Sequence, residues 1–427
     1  MKEDYEKGND QEVKTAMKRT RAPLPLGKLS FAGMAMIWLL ANTSGSCERR
    51  PASNAAGRGE TEPRGATPAE PRESISNDRA GRGPSPESGK SHLLIGYWQS
   101  FTNGVAPLPL GRVPLWFDVI NVAFGVPASP RTGTIVFEVE PEVETKAEFV
   151  RDIGLLHKQG RRVVLSIGGE SPPVFINTAK KLEEFVSSVS SLVREYGFDG
   201  VDIDFEGRSL TLDANDKDFK NPRTLSVVNL ISAMHTLKAA FGSGFIISYS
   251  PETLFLQQGL TGYGGVKGCY LPVIYGTRDI LTYIHTQDYN SGTVLALDRN
   301  LYAGGTADFH VAMTEFLLLG FVVDHKESEF FPALRQEQVA FGIPASVHAA
   351  ESGLPSYTSP SDVTNAINYL VNGTPFPGHR YTLIKPAGYS RLAGVMVYSI
   401  NWDATNNSRI SSAIAPLLHG SPGSSPR

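Results

Sequence analysis

The stretch FDGVDIDFEG, residues 198–207, alternates acidic and apolar side chains. On any strand drawn through it, Asp202, Asp204 and Glu206 fall on one face and Val201, Ile203 and Phe205 on the other, because successive side chains of a strand point to opposite sides. At about 3.3 Å per residue the carboxylates would stand ~6.6 Å apart in a row. Burying that face in an ordinary apolar core would strand three charges. The apolar face must therefore meet a packing layer, while the acidic face lines an interior that makes use of charge.

Working outward from this strand, the chain alternates between two periods. LLIGYWQSF (93–101), FDVINVAFG (117–125), RRVVLSIGG (161–169), FIISYSPE (245–252), TYIHTQDYN (282–290), QVAFGIPAS (338–346) and GVMVYSINWD (394–403) read as strands, and residues 198–207 bring the number to eight. Helical spacing occupies about 142–159, 178–197, 224–242, 309–321, 361–371 and 409–418. In 178–197, Leu182, Phe185, Val186, Val189, Leu192 and Val193 share a face, and Gly197 is the expected stop. Residues 253–281, which include TGYGGVKGCYLPVIYGT, read as a Gly- and Tyr-rich loop without a helix.

Strands alternating with helices imply right-handed crossovers and a parallel sheet, and eight such units predict an α/β fold closed into a single (β/α)8 TIM barrel. Val201, Ile203 and Phe205 would then face the helices. The carboxylates would climb the barrel interior toward its C-terminal mouth, with Glu206 uppermost. Three acids so close cannot all ionise cheaply, so one is expected to hold a proton near neutral pH. That arrangement suits general acid catalysis.

The whole sequence of 427 residues is 41% hydrophobic and 19% charged with a formal charge of −3, as in an ordinary soluble globular protein. No basic field argues for nucleic acid, and a neutral substrate and a monomer are expected. The two cysteines, Cys47 and Cys269, predict neither a disulfide framework nor a metal site, and the nine histidines contain no HExxH. His285 and His310 read as structural or surface residues, and no metal or cofactor is expected.

The domain reading is 1–47 targeting segment, 48–90 tether, 91–420 barrel and 421–427 flexible tail. LSFAGMAMIWLLA (29–41), preceded by Lys18, Arg19, Arg21 and Lys28, has the length of a signal-peptide core, with Met17 the expected initiator. SGSC ends at Cys47 and resembles a lipoprotein processing site, although Ser44 stands where such sites usually carry an aliphatic residue. Attachment to a membrane through a lipidated Cys47 and ordinary secretion are the two expectations. Residues 48–90 hold too little apolar surface to fold and read as a disordered Pro/Gly/Ser and charged linker.

Asp199, Asp202, Asp204 and Glu206 fit the Asp-x-x-Asp-x-Asp-x-Glu signature of glycoside hydrolase family 18, and over residues 92–405 the chain resembles the secreted bacterial chitinases of that family. SIGG (166–169), GYW (96–98), NVAFG (121–125), QDYN (287–290) and SINWD (399–403) resemble its other strands.

The resemblance implies hydrolysis of chitin or chitooligosaccharides with retention, the substrate's own acetamide acting as nucleophile. Glu206 would be the acid, Asp204 would orient the acetamide, Asp202 would share a proton with Asp204, and Tyr289 would bond the acetamide carbonyl. Trp402 would floor the sugar site. Tyr97, Gly168, Gly169, Gln287, Asn290 and Glu252 would contact substrate, while Ser166 belongs to the motif and Asp199 holds the strand.

SYSPE departs from the family, Tyr249 standing where Met is common, and this predicts an altered pocket floor. Residues 291–337 contain no recognisable insertion domain, which suggests a shallow, endo-acting cleft. An endo-β-N-acetylglucosaminidase and a non-catalytic chitin-binding lectin are the rival readings.

Overall fold

The computed structural model describes residues 92–170, 172–350 and 356–420. The targeting segment with Cys47, the tether and the tail from 421 onward lie outside the described residues.

Eight strands form the barrel: β1 Leu93–Gln99, β2 Val119–Pro127, β3 Arg162–Gly168, β4 Gly200–Asp204, β5 Ile246–Tyr249, β6 Tyr283–Gln287, β7 Val339–Pro344 and β8 Gly394–Tyr398. Each pairs in parallel with the next, and β1 pairs with both β2 and β8, which closes the cylinder. The helices are α1 Lys146–Lys158, α2 Ala179–Tyr196, α3 Leu225–Phe241, α4 Tyr270–Thr277, α5 Ala307–Leu319, α6 Pro360–Asn372, α7 Ile400–Thr405 and α8 Arg409–His419. Only a single 3-10 turn, Leu110–Arg112, stands between β1 and β2 among the described helical elements.

The parity of the quoted strand is observed. Val201, Ile203 and Phe205 are buried in the outer layer with the helix side chains, Phe205 meeting Phe185 of α2 edge to face. Ile95, Tyr97, Val119, Val164, Ile246 and Met396 form a separate inner cluster. The local rules for helix ends hold as well. Thr178 caps α2 by accepting from the Lys181 N–H, and Gly197 ends it in the left-handed conformation.

Three sequence expectations need correction. Residues 253–281 do contain a helix, α4, preceded by the 3-10 turns Thr253–Phe255 and Gln257–Thr261. Tyr270, Leu271, Pro272, Val273, Ile274 and Thr277 are all buried, so α4 has no polar face and leaves no 3.6-residue period to read. Its Pro272 sits in the first turn, where an N–H would have no intrahelical partner. SINWD is not strand: β8 ends at Tyr398, and the Ser399 side chain caps α7 by accepting from the Trp402 N–H. Tyr249 does not face the pocket, because it lies in the outer layer with its hydroxyl 2.8 Å from Thr277 Oγ1. Residues 291–337 carry two antiparallel pairs, Thr293–Leu295 with Leu301–Ala303 and Gly320–Val323 with Lys326–Pro332, on either side of α5.

Gly200 opens β4 between Val164 and Ile246. A Cβ there would lie 2.3 Å from the Ile246 carbonyl oxygen, so β4 and β5 could not keep their spacing. Gly200→Ala is expected to destabilise the fold by about 1–3 kcal/mol, the usual range for overpacking. Urea unfolding measures this, and an unchanged midpoint would contradict it.

Candidate active site

The inward side chains of β1, β3, β5 and β6 converge on Asp202, which is fully buried. Tyr97 Oη donates to its Oδ2 at 2.5 Å and Ser166 Oγ at 2.8 Å, while Ser248 Oγ donates to Oδ1 at 2.6 Å. His285 Nε2 stands 3.1 Å from Oδ1. Burial alone would raise the carboxyl's pKa, but His285 and the hydroxyls outweigh it and hold Asp202 below the ordinary carboxylate range.

Asp204, one pleat higher, is buried without such a ring of donors. Its Oδ1 accepts from Ser250 Oγ and from Gln287 Nε2, each at 2.9 Å. Burial, then the charges of Glu206 and Asp202, push its pKa well above the ordinary value. The two carboxyls are thus pushed in opposite directions, Asp202 down and Asp204 up.

Glu206 lies two residues past the end of β4, at the mouth. Gln287 Nε2 also reaches Glu206 Oε1 at 3.2 Å and the Ser250 carbonyl at 2.9 Å, so a single amide links the two upper carboxylates. Burial and the neighbouring Glu252 raise Glu206 to about 8, against the lowering bond from Gln287. Glu252 is itself pushed up to about 7 by burial and then by Glu170. Glu206, Glu252, Glu170, Gly169, Arg208 and Phe255 are among the residues around a mouth cavity of about 360 Å³. A larger groove of about 600 Å³, lined in part by Glu144, Lys146, Ser188 and Glu195, contains none of these carboxylates.

The other expected residues divide into two groups. Tyr97 and Tyr289 are buried in the inner cluster, and Tyr398 packs against it. Tyr398 stacks on Tyr289 at 6.3 Å between centroids and stands 5.5 Å from Tyr97. Gly168 has a φ of +123°, and a Cβ on it would lie 2.1 Å from the Asp204 carbonyl oxygen, so strand packing already requires a glycine there. Asn290 turns away, with its Oδ1 accepting from Ser356 Oγ at 3.1 Å. Asp199 accepts from the Val163 N–H at 2.8 Å and pairs with Arg162 and His157, at the opposite end of β4 from Glu206.

Trp402, expected as the floor of the sugar site, stands apart from the inner cluster. It sits on α7, packs against the outer layer and lies 6.1 Å from the His348 ring. Tyr398, the last residue of β8, occupies the inner position instead. Ser248, Ser250 and His285 were not expected at the site. Their inward parity on β5 and β6 was available in the sequence, but serines and a lone histidine carry no period of their own. Tyr270 of α4 was missed too. It accepts from the Phe205 N–H at 2.7 Å and donates to the Phe205 carbonyl at 3.0 Å, fixing the chain just before Glu206.

Residues 79–251 match the model of a family described as Glycosyl hydrolases family 18. The chain is 45% identical over 348 residues to Chitinase D of Niallia circulans, an alignment that covers 81% of this chain and 65% of that protein's length. It is 40% identical to a probable class II chitinase of Arthroderma benhamiae, over 70% of this chain and 91% of the relative. The crystal structure of a Family GH18 chitinase from Chromobacterium violaceum superposes with a TM-score of 0.70 at 34% identity, covering 77% of this chain and 84% of that one.

The raised carboxyls carry a stability signature. A carboxyl at about 8 in the folded chain and near ~4.3 in the unfolded one holds a proton that unfolding releases. Its contribution is fully present below the unfolded value and is lost as pH rises through the folded one. Glu206→Gln should therefore raise the melting temperature more at pH 8 than at pH 5, as read by calorimetry. An equal gain at both pH values would contradict the assignment.

Proposed function

The chain belongs to glycosyl hydrolases family 18, and from that premise we propose that it hydrolyses β-1,4-N-acetylglucosamine linkages in chitin or chitooligosaccharides. The observation that carries this reading is Glu206, poised at the mouth with its pKa raised to about 8. An acid protonated at neutral pH can donate to a leaving oxygen. Beside it, Asp204 and Gln287 offer an acceptor and a donor for a neutral polar group of substrate.

The reaction runs in two halves. Glu206 gives its proton to the glycosidic oxygen as the bond to the anomeric carbon breaks. The substrate's own acetamide oxygen closes on that carbon from the opposite face, so no enzyme nucleophile is needed, as this family's place among the exceptions to the two-carboxylate scheme allows. Asp204 accepts the acetamide N–H, and once its proton has passed to Asp202 for the life of the intermediate its charge balances the oxazolinium ion. Water then opens the ring while Glu206 takes back a proton, and the product retains the β configuration.

Tyr289, buried beside Asp204, donates its hydroxyl to the acetamide carbonyl. Tyr398, stacked on Tyr289, supplies the apolar surface under the sugar. The relatives named as chitinases favour chitin among acetamido sugars as the substrate. Export from the cytoplasm, read from residues 29–41, belongs to the same proposal, since polymeric chitin cannot enter a cell.

Two outcomes follow. Glu206→Gln should lower kcat/KM on chitin oligomers by about 10²–10⁴-fold while leaving oligomer binding intact, the range expected for removing a general acid. In the parent chain, kcat/KM should fall as pH rises through about 8, the value at which Glu206 loses its proton. Near-normal turnover by the Gln variant would overturn the assignment of Glu206.

A further inference from the structure

We propose that His285 is a positioning residue for this chemistry: from inside the barrel it holds Asp202 as an anion, so that the mobile proton stays on Asp204 and Glu206. The inference rests on the function proposed above and adds to it a residue outside the expected catalytic set.

His285 projects inward from β6 and is fully buried. Its Nε2 lies 3.1 Å from Asp202 Oδ1 and 3.2 Å from Asn121 Nδ2. A bare ring nitrogen facing a carboxylate would repel it, so Nε2 carries a hydrogen and donates to Asp202, and the Asn121 amide, whose Oδ1 has no other partner, turns that oxygen rather than its NH2 toward the ring. Nδ1 is buried and has no hydrogen-bond partner among the described residues. Tyr97 and Tyr283 hold the ring in place, with centroids 5.8 and 5.9 Å away.

The groups around this pair are few. Tyr97 of β1, Tyr283 of β6 and Tyr270 of α4 have phenol pKa values pushed up by burial and then by the carboxylates, so all three are neutral. Asn121 of β2, Ser166 of β3 and Ser248 of β5 carry no charge. Among the described residues the ion-pair partner of Asp202 is His285, not a lysine or arginine. Asp204, with Glu206 beyond it, is the remaining ionisable neighbour. Asp202 therefore depends on the donors around it, and His285 is the one whose donor sits in a rigid ring rather than on a rotating hydroxyl.

The sign follows from this arrangement. Without the His285 donor, the Asp202 anion loses stabilisation and binds a proton more readily. A neutral Asp202 no longer repels charge on Asp204, so Asp204, and Glu206 beside it, release a proton at lower pH. Activity would then fail earlier on the alkaline side.

The test compares His285→Leu, which has no donor, with His285→Gln, whose amide can reach Asp202. Should the Leu variant not fold, His285→Asn, whose amide is too short, replaces it. Two readouts are taken: the pH profile of kcat and KM on chitin hexaose, and the titration of ¹³C-labelled aspartate carboxyls in the free protein. The Leu variant should show Asp202 titrating about one to two units higher, the shift expected for losing one hydrogen bond to a charged group. Its alkaline limb should move to lower pH with KM little changed, and the Gln variant should follow the parent. A folded Leu variant with the parent's limb and carboxyl titration overturns the proposal, as does a Gln variant shifted as far as the Leu variant. A parent chain inactive on chitin hexaose counts against the proposed function alone, because the carboxyl titration still reads the effect of His285.

Discussion

A buried carboxylate surrounded by donors organises this molecule. Asp202 lies at full burial in the barrel, where an isolated anion would be costly, and four side chains from four different strands converge to keep it charged. That convergence constrains the register of β1, β3, β5 and β6 relative to β4, since a one-residue slip would turn every one of these groups to the helix layer. The same anion acts upward. Its charge adds to burial and to Glu206 in driving Asp204 toward the protonated state, and Gln287 couples Asp204 to Glu206 through one amide. The ladder of acids is thus a gradient, its carboxyl held down at the base and raised toward the mouth.

The ends of β4 are tied so that this gradient keeps its geometry. At one end Asp199 is held by the Val163 amide, Arg162 and His157. At the other the Tyr270 hydroxyl bonds both backbone groups of Phe205. Between them Gly200 and Gly168 let the neighbouring strands approach more closely than a Cβ would permit. The apolar residues of β4 lock it from outside against α2 and α4, so both faces of one short strand are fully used.

Much of this was legible in the sequence because period two is unambiguous where acids and large apolar residues alternate. Val201 to Glu206 revealed both faces of β4, and seven further apolar runs revealed the barrel. Features without a period were lost. α4 is apolar on every side and looked like a loop. Tyr249 and Tyr398 illustrate the limit of motif matching, since a one-residue change of parity separates the helix layer from the pocket. Tyr249 falls outside, and Tyr398, rather than the more conspicuous Trp402, falls inside. Ser248, Ser250 and His285 are ordinary residues whose importance comes only from the carboxylates they meet across the barrel.

In the proposed reaction Glu206 supplies a proton while the substrate supplies its own nucleophile. The most direct test is the product profile of residues 91–427 on chitin hexaose beside a high-mannose glycopeptide, with the anomer of fresh product recorded by NMR. Short chitin oligomers released in the β form are the expected result. Fresh product in the α form would contradict the substrate-assisted route, and cleavage of the glycopeptide alone would contradict chitin as the substrate.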